Sequence, residues 1–362
     1  TGAARLLETL DEFGLDGLDA VGRMIIENSA RAMRAEIAKI PRGTYENAMR
    51  IDGYDDAVDL VCQVKIESEV IDVTFEGTSP MSPRGVNVPL TYTQAYASFG
   101  VRCVIGNDVP NNAGSLGAVR VSAPEGSILN AARPAAVSAR HAVGQMLPDV
   151  VLGALAKAIP DRTPAEGASC LYLPVLLGGQ GIGDERGGEN FVINPFYTGG
   201  TGARPAKDGL SCTAFPSGVK NTPVEINETT APIIMWRKEY KTDSGGAGEF
   251  RGGLGQVMEF AHADGRAIAA SKMFERTKNP ARGRDGGLAG APGAARLDDG
   301  TVLRGMGRDV IPAGCRLVIE TPGGGGKGDP RKRPRGQVAD DLRAGLISAD
   351  AASRYYGYDG DK

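Results

Sequence analysis

The chain has 362 residues, enough for a sizeable core and for two or three domains. Hydrophobic content of 41% and charged content of 23% are ordinary for a globular protein, and a net charge of -3 with a pI near 5.7 excludes the basic footprint of non-specific nucleic-acid binding. The longest apolar stretch, around Val150 to Ile159, is too short to cross a bilayer and carries Lys157, so no membrane span is expected.

Taken in chain order, the first forty residues predict two helices. In "ARLLETLDEF" apolar residues fall at helical spacing, and the second helix repeats Met24, Ile25, Ile26, Ala30, Met33, Ile37 and Ile40 on one broad face until Pro41 and Gly43 end it. The alternating Val- and Ile-rich run that follows predicts a hairpin, Leu60 to Ile66 and Val70 to Phe75, joined by Glu67-Ser68-Glu69. A helix is predicted over Leu90 to Ile105, then a strand in "GAVRVSAPEGSIL". "PAAVSARHAVGQMLPDVVLGALAKAI" predicts one long buried central helix, interrupted at Pro148 and ending before Pro160.

Beyond about Gly178 the texture changes. Glycine-rich links separate short strands: "CLYLPVLL", "NFVINPFY", "TAPIIMWRKEYKT", "QVMEFAHA", "RAIAASKMF" and "CRLVIET". Two short helices are predicted in "RGQVADDLRAGLISADAASRYYG". The class is therefore α+β. Its parts are a helical segment over 1–58, an α/β core with the central helix over 59–177, and a glycine-rich, β-rich region over 178–362 ending in short helices.

Residue counts constrain the chemistry. Cys62, Cys103, Cys170, Cys212 and Cys315 are scattered and odd in number, which fits reduced thiols and a cytoplasmic location better than a disulfide framework. The opening "TGAARLLETLDEFG" is amphipathic and acidic, unlike a secretory leader. His141 and His262 are the only histidines and stand far apart, so no histidine-rich metal site is expected in this chain.

Glycine accounts for 52 residues, and the stretch "TPGGGGKGDPRKRP" asks whether a phosphate is cradled there. A P-loop requires G-x-x-x-x-G-K-[ST], but Thr321 holds the first glycine's place and Gly328 follows Lys327. The spacing instead predicts a sharp glycine turn, Gly323, Gly324, Gly325 and Gly326, with a positive-φ residue, packed on protein ahead of a terminal helix. Arg331-Lys332-Arg333 is expected to be a solvated helix entry.

Two further neighbourhoods stand out. "GTSPMSPRGVNVPLTYT" sets hydroxyls, Arg84 and Asn87 ahead of a helix, where they either present its N-terminus to an anion or simply cap it. "TDSGGAGEFRGGLGQ" places Asp243, Ser244 and Arg251 among glycines, either to let backbone approach a ligand or to turn a β-corner.

With "PEGSILNAARPAAVSAR" and "LPDVVLGALAKAIPDRTPAEG", these segments resemble the hydantoinase B/oxoprolinase family, in order, from "GTYE" at Gly43 to the terminal "GLISADAASRYYG". That family includes second subunits of ATP-dependent hydantoinases, the C-terminal part of 5-oxoprolinases, and subunits of acetone- and acetophenone-type carboxylases. The resemblance implies hydrolysis of a cyclic amide (a hydantoin, oxoproline or another lactam), made possible by ATP-driven phosphorylation of an unreactive amide oxygen. ATP and Mg²⁺ are then expected on a hydantoinase A-like, kinase-like partner subunit, with no cofactor bound by this chain. The family's histidine- and aspartate-bearing metal motifs do not occur here, so a divalent metal is expected in an N-terminal half that this chain lacks. A ketone carboxylase subunit and a non-catalytic scaffold are the alternatives. Arg84, Asn87, Asp243, Ser244 and Arg251 are the candidates for substrate contact or interface; no catalytic residue is identified.

Overall fold

The computed structural model describes residues 1–183 and 188–360; 184–187 and 361–362, inside the predicted 178–362 region, lie outside the described residues. The first half is built on a sheet of four strands in the order Gly43–Ile51, Val58–Ile66, Ile71–Thr74 and Val119–Ser122. The predicted hairpin is present as Val58–Ile66 paired antiparallel with Ile71–Thr74. Gly43–Ile51, whose polar residues hide its β character from a propensity reading, pairs along its whole length with Val58–Ile66. Alternate residues of Val58–Ile66 are buried, as a half-covered strand requires.

Helices Leu90–Arg102 and Leu147–Leu155 pack on each other and on this sheet. Every residue of Leu147–Leu155 is buried, but the element is nine residues long, not the long helix expected. Helix His141–Gly144 precedes it as a separate turn, and Pro148 lies in the first turn of the second helix, where its missing N–H costs nothing. The second N-terminal helix, Asp19–Ile37, buries Met33 and Ile37 but leaves Met24, Ile25 and Ile26 exposed, so its apolar face is only half used. Helix Gly2–Glu12 buries no residue.

The second half carries a five-stranded sheet in the order Val302–Leu303, Ala294–Leu297, Leu317–Glu320, Gln256–His262 and Ile233–Tyr240. A four-stranded sheet runs Met306–Ile311, Ile268–Met273, Val175–Gly178 and Phe191–Ile193. One hydrophobic core runs from Met33 and Leu60 through Leu155 and Tyr172 to Phe260 and Ile319, and a smaller one lies under the terminal helices Arg335–Arg343 and Ala349–Tyr356. The α+β class holds.

Gly323–Gly326 is extended, not a turn, and none of the four has positive φ; that conformation falls to Gly328 at φ 76°. The partners explain why glycine is needed. Gly323 and Gly326 donate to Ala291 O and Leu288 O at 3.0 and 2.9 Å, while Gly324 and Lys327 donate to Gly253 O and Phe250 O at 3.0 and 2.9 Å. Gly325 donates to Glu166 O at 2.8 Å, and Gly246, Ala203 and Arg284 donate back to Gly324, Gly325 and Gly326. Every third residue faces the same neighbour, the periodicity of a three-residue-per-turn extended helix packed amid others. A Cβ on Gly323, Gly324, Gly325 or Gly326 would fall on the carbonyl of Ser244, Thr201, Arg282 or Ala247 respectively. The neighbours are glycine-rich for the same reason: Gly200, Gly252 and Gly290 meet backbone at equally short range.

Gly324→Ala is therefore expected to destabilise the fold by several kcal/mol, in the range of severe core overpacking, about 3 kcal/mol or more. Gly336→Ala, in helix Arg335–Arg343 with open space around its Cα, is expected to be neutral or stabilising by up to about 1 kcal/mol. Thermal unfolding of both variants checks this, and equal losses would contradict the close-packing account.

Candidate functional site

The sequence candidates fall into two groups that line no common cavity. Asn87 is 1% exposed, and its amide is used up by the loop itself: Oδ1 accepts from Ser82 N–H at 2.8 Å, and Nδ2 donates to Ser82 O, Arg84 O and Ala136 O. Arg84 is exposed, forks onto Asp55 at 2.7 Å and lies over the Tyr54 ring at 4.8 Å. The helix behind this loop starts after Pro89 with no side-chain cap, so the hydroxyls do not serve it as expected. Thr93 Oγ1 instead donates to Leu129 O at 2.6 Å.

Asp243, Ser244 and Arg251 hold the terminal helices onto the glycine-rich segments. Asp243, at φ 62°, accepts from Ser348 N–H at 2.7 Å, where helix Ala349–Tyr356 begins. Ser244 Oγ accepts from Gly255 N–H at 3.0 Å and donates to Lys241 O. Arg251 pairs with Asp341 at 3.2 Å, and the same carboxylate takes Arg333 at 2.8 Å. Arg333 is 5% exposed and also forks onto Asp208, so it departs from the solvated helix entry expected of the basic cluster, whereas Arg331 and Lys332 are exposed as that reading required. Lys327, beside the four glycines, is buried against Asp285 and Pro160 O.

The densest charge lies elsewhere, where the two halves meet. Arg276, fully buried at φ 63°, reaches Glu166 at 3.3 Å and Asp149 at 3.6 Å. A non-glycine residue held there is backbone strain of a kind that persists only when its surroundings demand it. Burial pushes Glu166 up, but Arg276 and Arg282 outweigh it and hold its carboxyl below the usual range. Asp149 has the weaker hold on Arg276, and burial pushes it up to about 6 despite bonds from Gly167 N–H and Ser169 Oγ. Arg276 Nε has no hydrogen-bond partner.

Beside it Glu275 accepts from the backbone at Asp52, and Asp52 accepts from the backbone just after Glu275. Glu275 accepts from Asp52 N–H at 2.8 Å and Gly53 N–H at 3.1 Å. Asp52 in turn accepts from Thr277 N–H and Oγ1, Lys278 N–H, and Asn279 N–H and Nδ2. Those bonds hold the Asp52 carboxyl low against its burial, whereas burial and the Asp52 charge push Glu275 up to about 7. Both Asp149 and Glu275 thus titrate near neutrality, but their oxygens are occupied by backbone and no described cavity is lined by either. The arrangement is a latch between halves. Sequence reasoning missed it, although Asp149 inside the apolar run "MLPDVVLGAL" was a readable sign of a buried, partnered carboxylate.

Among the described residues no group of three or more His, Cys, Asp or Glu side chains is placed to hold a metal ion. No helix among them is long and apolar enough to cross a membrane.

The hydantoinase B/oxoprolinase family profile matches residues 1–330. The chain is 28% identical over 379 residues to a putative D-/L-hydantoinase subunit of Pseudomonas sp. (strain NS671), covering 98% of this chain and 62% of that protein. The crystal structure of the ATP-dependent caprolactamase from Pseudomonas jessenii matches with a TM-score of 0.83 at 26% identity, over 99% of this chain and 64% of that one. A nucleotide-free acetone carboxylase structure matches with a TM-score of 0.80 at 18% identity, a likeness of fold alone. The chain spans between half and two thirds of the length of each of these proteins.

The latch predicts a pH signature. Glu275 has a folded pKa near 7 against an ordinary 4.5, so the folded state holds the extra proton between those values and its stability falls as pH rises through them. Glu275→Gln removes this slope, at most about 1.4 kcal/mol per pH unit. Urea unfolding midpoints at pH 5 and pH 8 should show the variant losing less than the parent over that interval; parallel losses would contradict the assignment.

Proposed function

Because the chain belongs to the hydantoinase B/oxoprolinase family, we propose that it works as part of an ATP-dependent cyclic amide hydrolase, alongside a kinase-like, ATP-binding partner subunit. The observation that carries this reading is the match to the ATP-dependent caprolactamase over nearly the whole of this chain. The chemistry has a physical reason. Resonance makes a lactam carbonyl a poor electrophile, and phosphorylating its oxygen both breaks that resonance and creates a leaving group.

ATP and Mg²⁺ belong to the partner in this reading, since phosphoryl transfer needs a phosphate cradle and magnesium-holding carboxylates together. Here the one lysine beside the glycine run is already paired with Asp285, and the glycines' N–H groups are already bonded to protein. A divalent metal expected from the family does not fit the described residues, so no step is drawn through one. This chain contributes a rigid glycine-packed block and the surfaces that position the other parts. The fold also suits a ketone carboxylase, but at 18% identity that likeness adds no chemistry. Cytoplasmic assembly follows from the same proposal, because ATP is the co-substrate.

The test is ATP cleavage coupled to ring opening, with this chain alone and after adding the kinase-like subunit and a companion chain bearing the family's N-terminal motifs. Lactam- or hydantoin-dependent ADP release is expected only from the assembled set, independent of bicarbonate. Bicarbonate-dependent release with a ketone would favour the carboxylase, and ring opening by this chain alone would overturn the division of labour.

A further inference from the structure

The first sheet ends on an open edge. Val119–Ser122 pairs with Ile71–Thr74 on one side only, in a parallel ladder, and its other side faces a groove of about 770 Å³. The groove runs between this strand, helix Leu90–Arg102 and the short helix Ala113–Leu116. The proposed function uses none of its residues.

The ladder fixes which peptide groups are left over. Ile71 N–H donates to Ala118 O at 3.0 Å, and Phe75 N–H to Ser122 O at 3.2 Å. Peptide groups alternate sides along a strand, so those of Val119 and Val121 point away from the sheet and toward the groove. Gln94 Nε2 reaches Val121 O at a long 3.4 Å, while Val119 N–H, Val119 O and Val121 N–H have no partner among the described residues. Val119 is 7% exposed, so its unpaired groups lie at the groove floor, where the lack of a partner is costly.

The walls beside the strand are apolar. Phe99 and Leu116 are each 40% exposed and, with Ala95, line this space. Gly114 lies so close to Ile26 that a Cβ on it would fall 2.0 Å from Ile26 O, and Asn112 Nδ2 donates to Ser29 Oγ at 2.8 Å. Those contacts place Met24, Ile25 and Ile26, themselves exposed, beside the Leu116 end of the groove. Bare apolar surface next to an unpaired strand edge marks a place that another chain covers.

We propose that an extended segment of a companion chain, the one carrying the part of the family subunit that this chain does not span, adds a fifth strand along Val119–Ser122. Its backbone meets the outward groups of Val119 and Val121, and its apolar side chains lie against Phe99 and Leu116. More than a third of the hydantoinase subunit and of the caprolactamase lies outside the match, ample length for such a segment. A second copy of this chain does not fit. Its own edge lies at the floor of the same recess, and the antiparallel register pairing both outward residues sets Arg120 against Arg120. The identity of the companion rests on the family reading above, and the place of docking rests on this edge.

The experiment is hydrogen exchange resolved to single amides on the full chain, alone and with the companion chain bearing the family's N-terminal motifs, without ATP or the kinase-like subunit. The Val119 and Val121 amides are expected to exchange fast in the chain alone and to slow at least about tenfold on addition of the companion. Arg120 and Ser122, whose N–H groups face the ladder, should be slow in both. Val121→Pro removes an outward N–H, which an edge strand tolerates, and should weaken companion binding about tenfold or more. Val302→Glu, on the exposed edge strand Val302–Leu303 of the five-stranded sheet, should leave binding unchanged. If Val121→Pro does not fold, Phe99→Glu, at a half-exposed helix position, makes the same test. No companion binding, unchanged exchange at Val119 and Val121 when it binds, or unchanged affinity in a folded variant would overturn the proposal. Protection that rises with the chain's own concentration would also overturn it, with a second copy as the occupant. Turnover by the assembled set with this edge unprotected would sink the docking and leave the amide-hydrolase reading intact; protection without turnover would do the reverse.

Discussion

The extended glycine segment Gly323–Gly326 is the constraint on which the second half of the molecule depends. Its N–H groups reach carbonyls of Ala291, Gly253, Glu166 and Leu288, and its own carbonyls take N–H groups from Gly246, Ala203 and Arg284. Chains approach this closely only when no Cβ stands between them, which is why glycine recurs on the neighbours as well as the hub. Such a bundle buries backbone with little apolar side chain, so its cohesion comes from satisfied peptide groups more than from a hydrophobic centre. The short sheets and the terminal helices are then arranged around a block that has almost no freedom to shift.

Charge does a different task at the boundary between the halves. Arg276 draws Asp149 from the helical layer and Glu166 from the glycine-rich layer onto one guanidinium. The Asp52–Glu275 clasp adds reciprocal backbone bonds a few residues away. Buried ion pairs of this kind contribute little net stability against a well-packed apolar alternative, but breaking one partner leaves an uncompensated charge. Their consequence is geometric: the Asp52 and Glu275 bonds tie the sheet end at Ile51–Gly53 to residues 275–279. The second latch, Arg251 and Arg333 on Asp208 and Asp341, does the same for the terminal helices.

This division explains why several residues conspicuous in sequence serve the fold as fastenings. Loops rich in glycine, hydroxyls and charge are read as ligand loops because binding loops have that composition. Here Asn87, Asp243, Ser244 and Arg251 all make hydrogen bonds to backbone, and Arg251 also pairs with Asp341. Whether a polar group is free depends on its neighbours in space, and no local pattern records that.

The sequence by itself determined much about this protein. Alternation in Val58–Ile66 and helical spacing in Asp19–Ile37 and in the tail specify those elements, because burial of one face imposes period two or 3.6 on the residues. The failed P-loop spacing around Lys327 was also decided locally, since that motif is a local geometry. Only the tertiary structure decided the rest. The strand Gly43–Ile51 is polar and forms because a full-length partner lies beside it. The central apolar run starts its helix only at His141 because Ala139 before it is bonded to the loop at Gly85, and it forms two short helices, His141–Gly144 and Leu147–Leu155. The glycine run is extended and not turned because six other segments converge on it, from positions up to about 160 residues away in the chain. Long-range convergence of that kind leaves only composition as its trace, and composition cannot state a partner.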